Sequence, residues 1–259
     1  MTPTETLRAA RNFLVENRTD YAKAYAEFAW PRFERFNFAL DWFDVIARDQ
    51  DAEALRILAD GKEPEVWRFS ELAQASDRLA NFLRAQGLKR GDALLIMLGN
   101  EAPLWVSLLA AMKLGAVVIP TSTLLSGAEL EDRLTRGAVR AVIAAAELAD
   151  RFPKGGWTGI AVGGAADGWL AYDDHAAAPA DFTPDAPTSA GEPLLLYFTS
   201  GTTSRPKLVL HSHVSYPVGH LSTLYWLGLT PGDRHLNISS PGWAKHAWSC
   251  VFAPWLAEA

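Results

Sequence analysis

Between Ser70 and Ala146 helix-period and strand-like segments alternate without interruption, and no other feature restricts the fold as much. The segment "SELAQASDRLANFLRAQG" sets Leu72, Leu79, Phe82 and Leu83 on one helical face, with Ser70 placed as an N-cap and Gly87 as a stop. "ALLIML" then reads as a buried strand, followed by the helix "EAPLWVSLLAAMKLG", which Asn100 can cap, which tolerates Pro103 in its first turn and which Gly115 ends. The short apolar run "AVVIP", the helix "GAELEDRLTRG" and the strand "VRAVIAAA" repeat the unit. Two consecutive strand–helix–strand crossovers require parallel strands under a helical cover, so an α/β fold with parallel-rich sheets covered by helices is expected.

The flanks are less regular. Upstream, "AEFAWPRFERFNFALDWFDVIA" carries too many bulky rings for a free tail and predicts a packed helical lead-in. From Gly155 to Gly191 the chain is rich in Gly, Ala, Asp and Pro, which predicts loop and connector with at most a short strand around Ile160 to Val162. Beyond it "LLLYF", "KLVLHSH" and "RHLNISS" look like strands, with helices expected around Val214 to Leu227 and Lys245 to Leu256. The implied organisation is an N-terminal α/β subdomain over residues 1–180, a connector over 181–193, and the start of a second α/β subdomain over 194–259.

Composition excludes several function classes. With 259 residues, 49% of them hydrophobic, the chain can bury a sizeable core. Its 24 basic against 30 acidic residues argue against a nucleic-acid or anionic-membrane partner and for a small molecule. The lone Cys250 excludes an internal disulfide and fits a reducing compartment. The segment "MTPTETLRAARNF" has Glu5 and Arg8 where a signal peptide needs an apolar core, and Lys113 with Gly115 breaks the most membrane-like run. The cytoplasm is the expected location, and the oligomeric state is left open, a homo-oligomer included.

One loop carries chemistry. In "YFTSGTTSRPKLVLHSH", Thr199, Ser200, Gly201, Thr202, Thr203 and Ser204 offer five hydroxyls and lightly encumbered backbone N–H groups, and Lys207 adds a mobile cation. Gly201 and Lys207 have the G-x-x-x-x-G-K spacing of a P-loop, but Pro206 replaces its second glycine, Leu208 replaces its Mg-binding hydroxyl, and "KLVLH" is β-like where a helix must follow. On chemistry alone a hydroxyl-rich turn and a phosphate cradle both remain open.

"YFTSGTTSRPK" closely resembles the phosphate-binding signature of adenylate-forming enzymes (acyl-CoA synthetases, adenylation domains and luciferases), Y/F-T-S-G-S/T-T-G-x-P-K-G. Ser204 stands for the usual glycine and Leu208 for the glycine after the lysine, which points within that group to the medium-chain acyl-CoA synthetase branch. "FNFALDWFD", "LKRGDALLIML", "PLWVSLLAAMKLGAVVIPTSTLL" and "SPGWAKHAWSCVFAPW" resemble the same branch in the same order. The resemblance implies the N-terminal portion of the adenylate-forming fold. It also implies that Thr199 to Ser204 and Lys207 hold the β- and γ-phosphates of MgATP while a carboxylate attacks the α-phosphorus, with CoA then displacing AMP. Trp243 falls where the family walls its acyl pocket. The family's adenine-binding aromatic, ribose-binding aspartate, hinge and C-terminal lysine have no counterpart within these residues, so no catalytic residue is assigned and residues 1–259 alone are expected to be inactive. A noncatalytic nucleotide-binding or interaction module of the same fold is the alternative.

The remaining candidates have ordinary explanations. Lys245 and His246 fit an exposed first turn of a helix, although either could meet a carboxylate. His211, His213, His220 and Cys250 match no tetrahedral zinc spacing, and His211 and His213 alternate on a strand as packing residues do. No metal site is expected. Asp173 with Asp174, and Glu131 with Asp132, read as solvated charge.

Overall fold

A computed structural model describes residues 1–125, 127–199 and 205–259. The lead-in forms α1 (Pro3–Glu16), α2 (Tyr21–Glu27), a π-helical turn over Phe38–Phe43 and α3 (Asp44–Asp49). Its rings belong to the core: Phe36, Phe38, Trp42 and Phe43 expose no surface. Two strands not anticipated from the sequence, β1 (Glu53–Ile57) and β2 (Glu65–Arg68), then pair as an antiparallel ribbon.

The alternating region folds as α4 (Phe69–Ala85), β3 (Ala93–Met97), α5 (Ala102–Leu114), β4 (Val117–Pro120), α6 (Gly127–Arg136) and β5 (Val139–Ala145). Strands β6 (Thr158–Val162), β7 (Leu170–Ala171), β8 (Pro193–Thr199) and β9 (Lys207–Ser212) follow, then α7 (Leu221–Leu227), α8 (Ala244–Ala247) and α9 (Ala253–Ala257). Among the described residues the main sheet has seven strands in the order β7-β6-β5-β3-β4-β8-β9, parallel except for β9. Strand β3 is buried on both faces because its residues alternate between two cores: Leu94 and Ile96 meet α4 and α5, while Leu95 and Met97 meet Leu130 and Leu134 of α6.

Several boundaries differ from those expected, each for a physical reason. Ser70 is not the N-cap of α4: Arg68 is, because the Glu71 carboxylate reaches back to its N–H at 2.8 Å, and Ser70 instead donates to Asp51. Asn100 does not cap α5, whose N-cap is Glu101; its side chain is engaged elsewhere. The short strand expected at Ile160 to Val162 is β6, two residues longer, and β7 was not expected; Gly159 has a packing role, since a Cβ on it would enter the Trp169 ring. "RHLNISS" forms no strand: Leu236 and Ile238 alternate outward, 78% and 88% exposed, and no strand among the described residues pairs with them. The helix expected from Val214 begins as a short 3-10 turn at Val218 and becomes α7 only at Leu221.

The last helical stretch contains a π-turn over Trp248–Phe252. An α-helix would offer the Cys250 carbonyl to residue 254, and Pro254 has no N–H to give. Trp105 Nε1 donates to that carbonyl instead, at 3.1 Å, tying the stretch to α5. The two ends of the chain are also joined: buried Arg11 donates to the Ala257 carbonyl and pairs with Glu258 at 2.7 Å, and Trp42 donates to the Trp255 carbonyl. No helix among the described residues is long and apolar enough to cross a membrane.

Candidate functional site

Parallel strands gather the turns that follow them at their carboxyl ends, and a crevice opens where successive connections leave on opposite faces of the sheet. Here β3 leads to α5 on one face and its neighbour β4 leads to α6 on the other. Next to β4, β8 runs parallel and delivers Thr199 to the same edge.

Strand β9 returns antiparallel, with Thr199 directly opposite Lys207. The Thr199 hydroxyl lies 3.4 Å from the Lys207 carbonyl, and the Lys207 side chain is exposed. The hydroxyl-loop residues Ser200, Gly201, Thr202, Thr203 and Ser204 lie outside the described residues. The described ends of the loop are thus a threonine and a lysine facing each other across the last pair of a hairpin.

A helix that sequence reading treated as cover supports this hairpin. Arg133 and Arg136, three residues apart on α6 and therefore on one face, place their guanidinium carbons 5.1 and 5.5 Å from the centre of the Phe198 ring. Arg136 donates to the Pro206 carbonyl at 2.9 Å, and its other terminal nitrogen is fixed by Asp132 at 2.9 Å. Burial lowers the Arg133 pKa. The i, i+3 spacing of the two arginines in "DRLTR" was the available sequence signal.

At the crevice, residues 239–246 close on the turns after β3 and β4. A Cβ on Gly242 would collide with the Ser122 backbone, so only glycine permits this approach. Trp243 follows, 66% exposed, as the extended residue that precedes α8. Lys245 is exposed as expected, but His246 is buried, which corrects its reading as a surface residue. Its Nε2 lies 3.0 Å from Asn100 Oδ1, its ring packs 5.5 Å from that of Trp105, and burial pushes its pKa down to about 4. Asn100 in turn donates to the Ser239 carbonyl at 3.3 Å. Neutral His246, with Nε2–H as donor to the amide oxygen, is therefore a strut under the Trp243 turn.

His211, His213 and His220 pack against neighbouring side chains. Tyr216 lies between His211 and His220, with both centroid separations 4.4 Å, and His220 Nδ1 meets Thr223 Oγ1 at 2.9 Å. His213 is fully buried, and neither ring nitrogen has a hydrogen-bond partner among the described residues. No three His, Cys, Asp or Glu side chains converge among the described residues.

The AMP-binding enzyme family matches residues 42–259. The chain is 34% identical over 235 residues to 4-hydroxybutyrate–CoA ligase 1 of Metallosphaera sedula, covering 87% of this chain and 40% of that protein. It is 30% identical over 264 residues to the mitochondrial acyl-coenzyme A synthetase ACSM3 of Homo sapiens, covering 96% of this chain and 45% of that one. Among solved structures, acetoacetyl-CoA synthetase from Streptomyces lividans superposes with a TM-score of 0.77 at 25% identity, over 89% of this chain and 38% of that one. The chain thus spans less than half the length of these relatives.

Proposed function

Because the chain belongs to the AMP-binding enzyme family, we propose that it supplies the N-terminal portion of an AMP-forming acid–thiol ligase. A carboxylate oxygen attacks the α-phosphorus of ATP, the bond to the bridging oxygen of the β-phosphate breaks, and pyrophosphate leaves. The thiol of CoA then attacks the acyl carbon and expels AMP. ATP, delivered with Mg2+, and CoA are substrates here. The observation that carries this reading is the pairing of Thr199 with Lys207 at the carboxyl edge of the sheet. Such an arrangement can neutralise and orient a leaving pyrophosphate, and positioning with charge stabilisation is most of what phosphoryl chemistry asks of a protein. Thr199, Ser200, Gly201, Thr202, Thr203, Ser204 and Lys207 are the proposed phosphate ligands, and Trp243 the wall of the acyl pocket. Residues 1–259 alone are read as unable to complete the reaction. The lone Cys250 supports a reducing compartment such as the cytoplasm.

Lys207→Ala in the complete enzyme is expected to lower adenylation roughly ten- to a hundredfold, the equivalent of one charge-assisted hydrogen bond. Lys207 is exposed, so the melting temperature should hold. An unchanged rate of acid-dependent pyrophosphate release would move the phosphate site elsewhere.

We read the acid as apolar and medium-chain or aromatic, because Trp243 borders the crevice and the resemblance is to the medium-chain branch. Each methylene that enters an apolar pocket contributes about 0.8 kcal/mol, so kcat/KM should rise roughly fourfold per carbon until the pocket is full. Measured across acetate, butyrate, hexanoate, octanoate and benzoate, an optimum at acetate would show that the Trp243 indole closes the pocket and would overturn the substrate class.

A further inference from the structure

Among the described residues β9 lies last in the order of the seven-stranded sheet, and Lys207, Leu208, Val209 and Leu210 are all exposed along it. Its described partner strand is β8. One contact at the entry to this strand comes from 70 residues away: Arg136 donates to the carbonyl of Pro206, the residue immediately before Lys207. Arg136 is itself held at two further points, by the Asp132 carboxylate and by the Phe198 ring, which belongs to β8 one residue before Thr199. One guanidinium therefore contacts Phe198 of β8 and Pro206 at the entry to β9, the neighbours of Thr199 and Lys207.

We propose that Arg136 is a positioning residue for nucleotide phosphates: through the Pro206 carbonyl it sets the backbone from which Lys207 reaches the β- and γ-phosphates. This rests on the phosphate-binding reading of Lys207. Arg136 acts through Lys207 and need not touch ATP. Arg133, also over the Phe198 ring, adds a second contact between α6 and β8.

The test is steady-state kinetics of the complete enzyme, comparing wild type, Arg136→Ala, Arg136→Lys, Lys207→Ala and the Arg136→Ala/Lys207→Ala double variant. Arg136→Ala is expected to raise KM for ATP about tenfold and leave KM for the acid within about twofold, as a small displacement of a binding group does. Arg136→Lys should recover most of the loss, because an ammonium can still donate to the Pro206 carbonyl. In the double variant the Arg136→Ala effect should vanish, since no lysine remains to be placed. Should Arg136→Ala fold poorly, Asp132→Asn loosens the same guanidinium and should shift KM for ATP in the same direction by a smaller factor. An unchanged KM for ATP in a folded Arg136 variant, equal changes in KM for ATP and acid, or additive effects in the double variant would overturn the positioning role alone. If Lys207→Ala itself leaves adenylation untouched, the phosphate-site reading falls first.

Discussion

Replacing Lys113 with methionine is expected to lower the unfolding free energy by about 3–5 kcal/mol, a large share of what a single domain possesses. Lys113 sits on α5, a helix so enclosed that Leu104 to Leu114 are all buried, and its own side chain exposes nothing. Its ammonium lies 2.7 Å from Asp77 of α4 and 2.8 Å from Asp44 of α3, and donates to the Ala73 carbonyl at 3.0 Å. Asp77 accepts a hydrogen bond, whereas the Asp44 contact is an ion pair without hydrogen-bond alignment. Burial outweighs the attraction of Lys113, pushing Asp44 up to about 6 and Asp77 upward as well. Methionine keeps the stem and removes the charge shared by the buried Asp44 and the half-buried Asp77 carboxylates. Combining it with Asp44→Asn and Asp77→Asn should recover much of the loss, because a network neutralised throughout no longer leaves a charge uncompensated. Urea denaturation at pH 7 checks both statements, and a single-variant loss below about 1 kcal/mol would show that the trio is solvated.

What could be read in the sequence follows how local each determinant is. The face of α4, the fully apolar β3 and the glycine after α5 are set by neighbours a few positions away, and they stand where periodicity put them. Strand β6 contains the short strand expected at Ile160 to Val162 and begins two residues earlier, where Gly159 makes room for Trp169, a partner that lies beyond the strand in sequence. "RHLNISS" failed in the opposite way: Leu236 and Ile238 alternate as a strand should, but alternation without a pairing neighbour gives no ladder. The same distinction holds for the candidate site. Thr199 and Lys207 belong to one contiguous motif, whereas Asn100 with His246 and Arg136 with Pro206 are joined across 146 and 70 residues. Lys113 looked like the charge that breaks a membrane-like run, and only the fold shows it clamped between α3 and α4.

Stability is expected to fall by on the order of 4 kcal/mol between pH 7 and pH 5, driven by three histidines kept neutral by burial. His213, His220 and His246 are each lowered to about 4. A folded pKa below the unfolded value of about 6.5 means that the unfolded chain binds the extra proton, so the contribution is complete above 6.5 and is lost as pH falls toward 4. Near pH 5 three such groups tilt the stability by about 4 kcal/mol per pH unit. Asp44 opposes them, since a carboxyl raised to about 6 makes the folded state the better proton acceptor over the same window; it removes roughly one proton's worth of the slope. The raised Asp41, Asp77 and Glu101 act in the same direction as Asp44, and the lowered His211 acts with the other histidines. His213→Leu separates the two sets. It removes a fully buried ring whose nitrogens have no hydrogen-bond partner among the described residues, so stability at pH 7.5 should not drop, while the slope near pH 5 should flatten by about 1.4 kcal/mol per unit. Urea midpoints at half-unit intervals from pH 4.5 to 7.5 measure both quantities, and a slope as steep in His213→Leu as in the wild type would mean that the imidazole takes up its proton in the folded state.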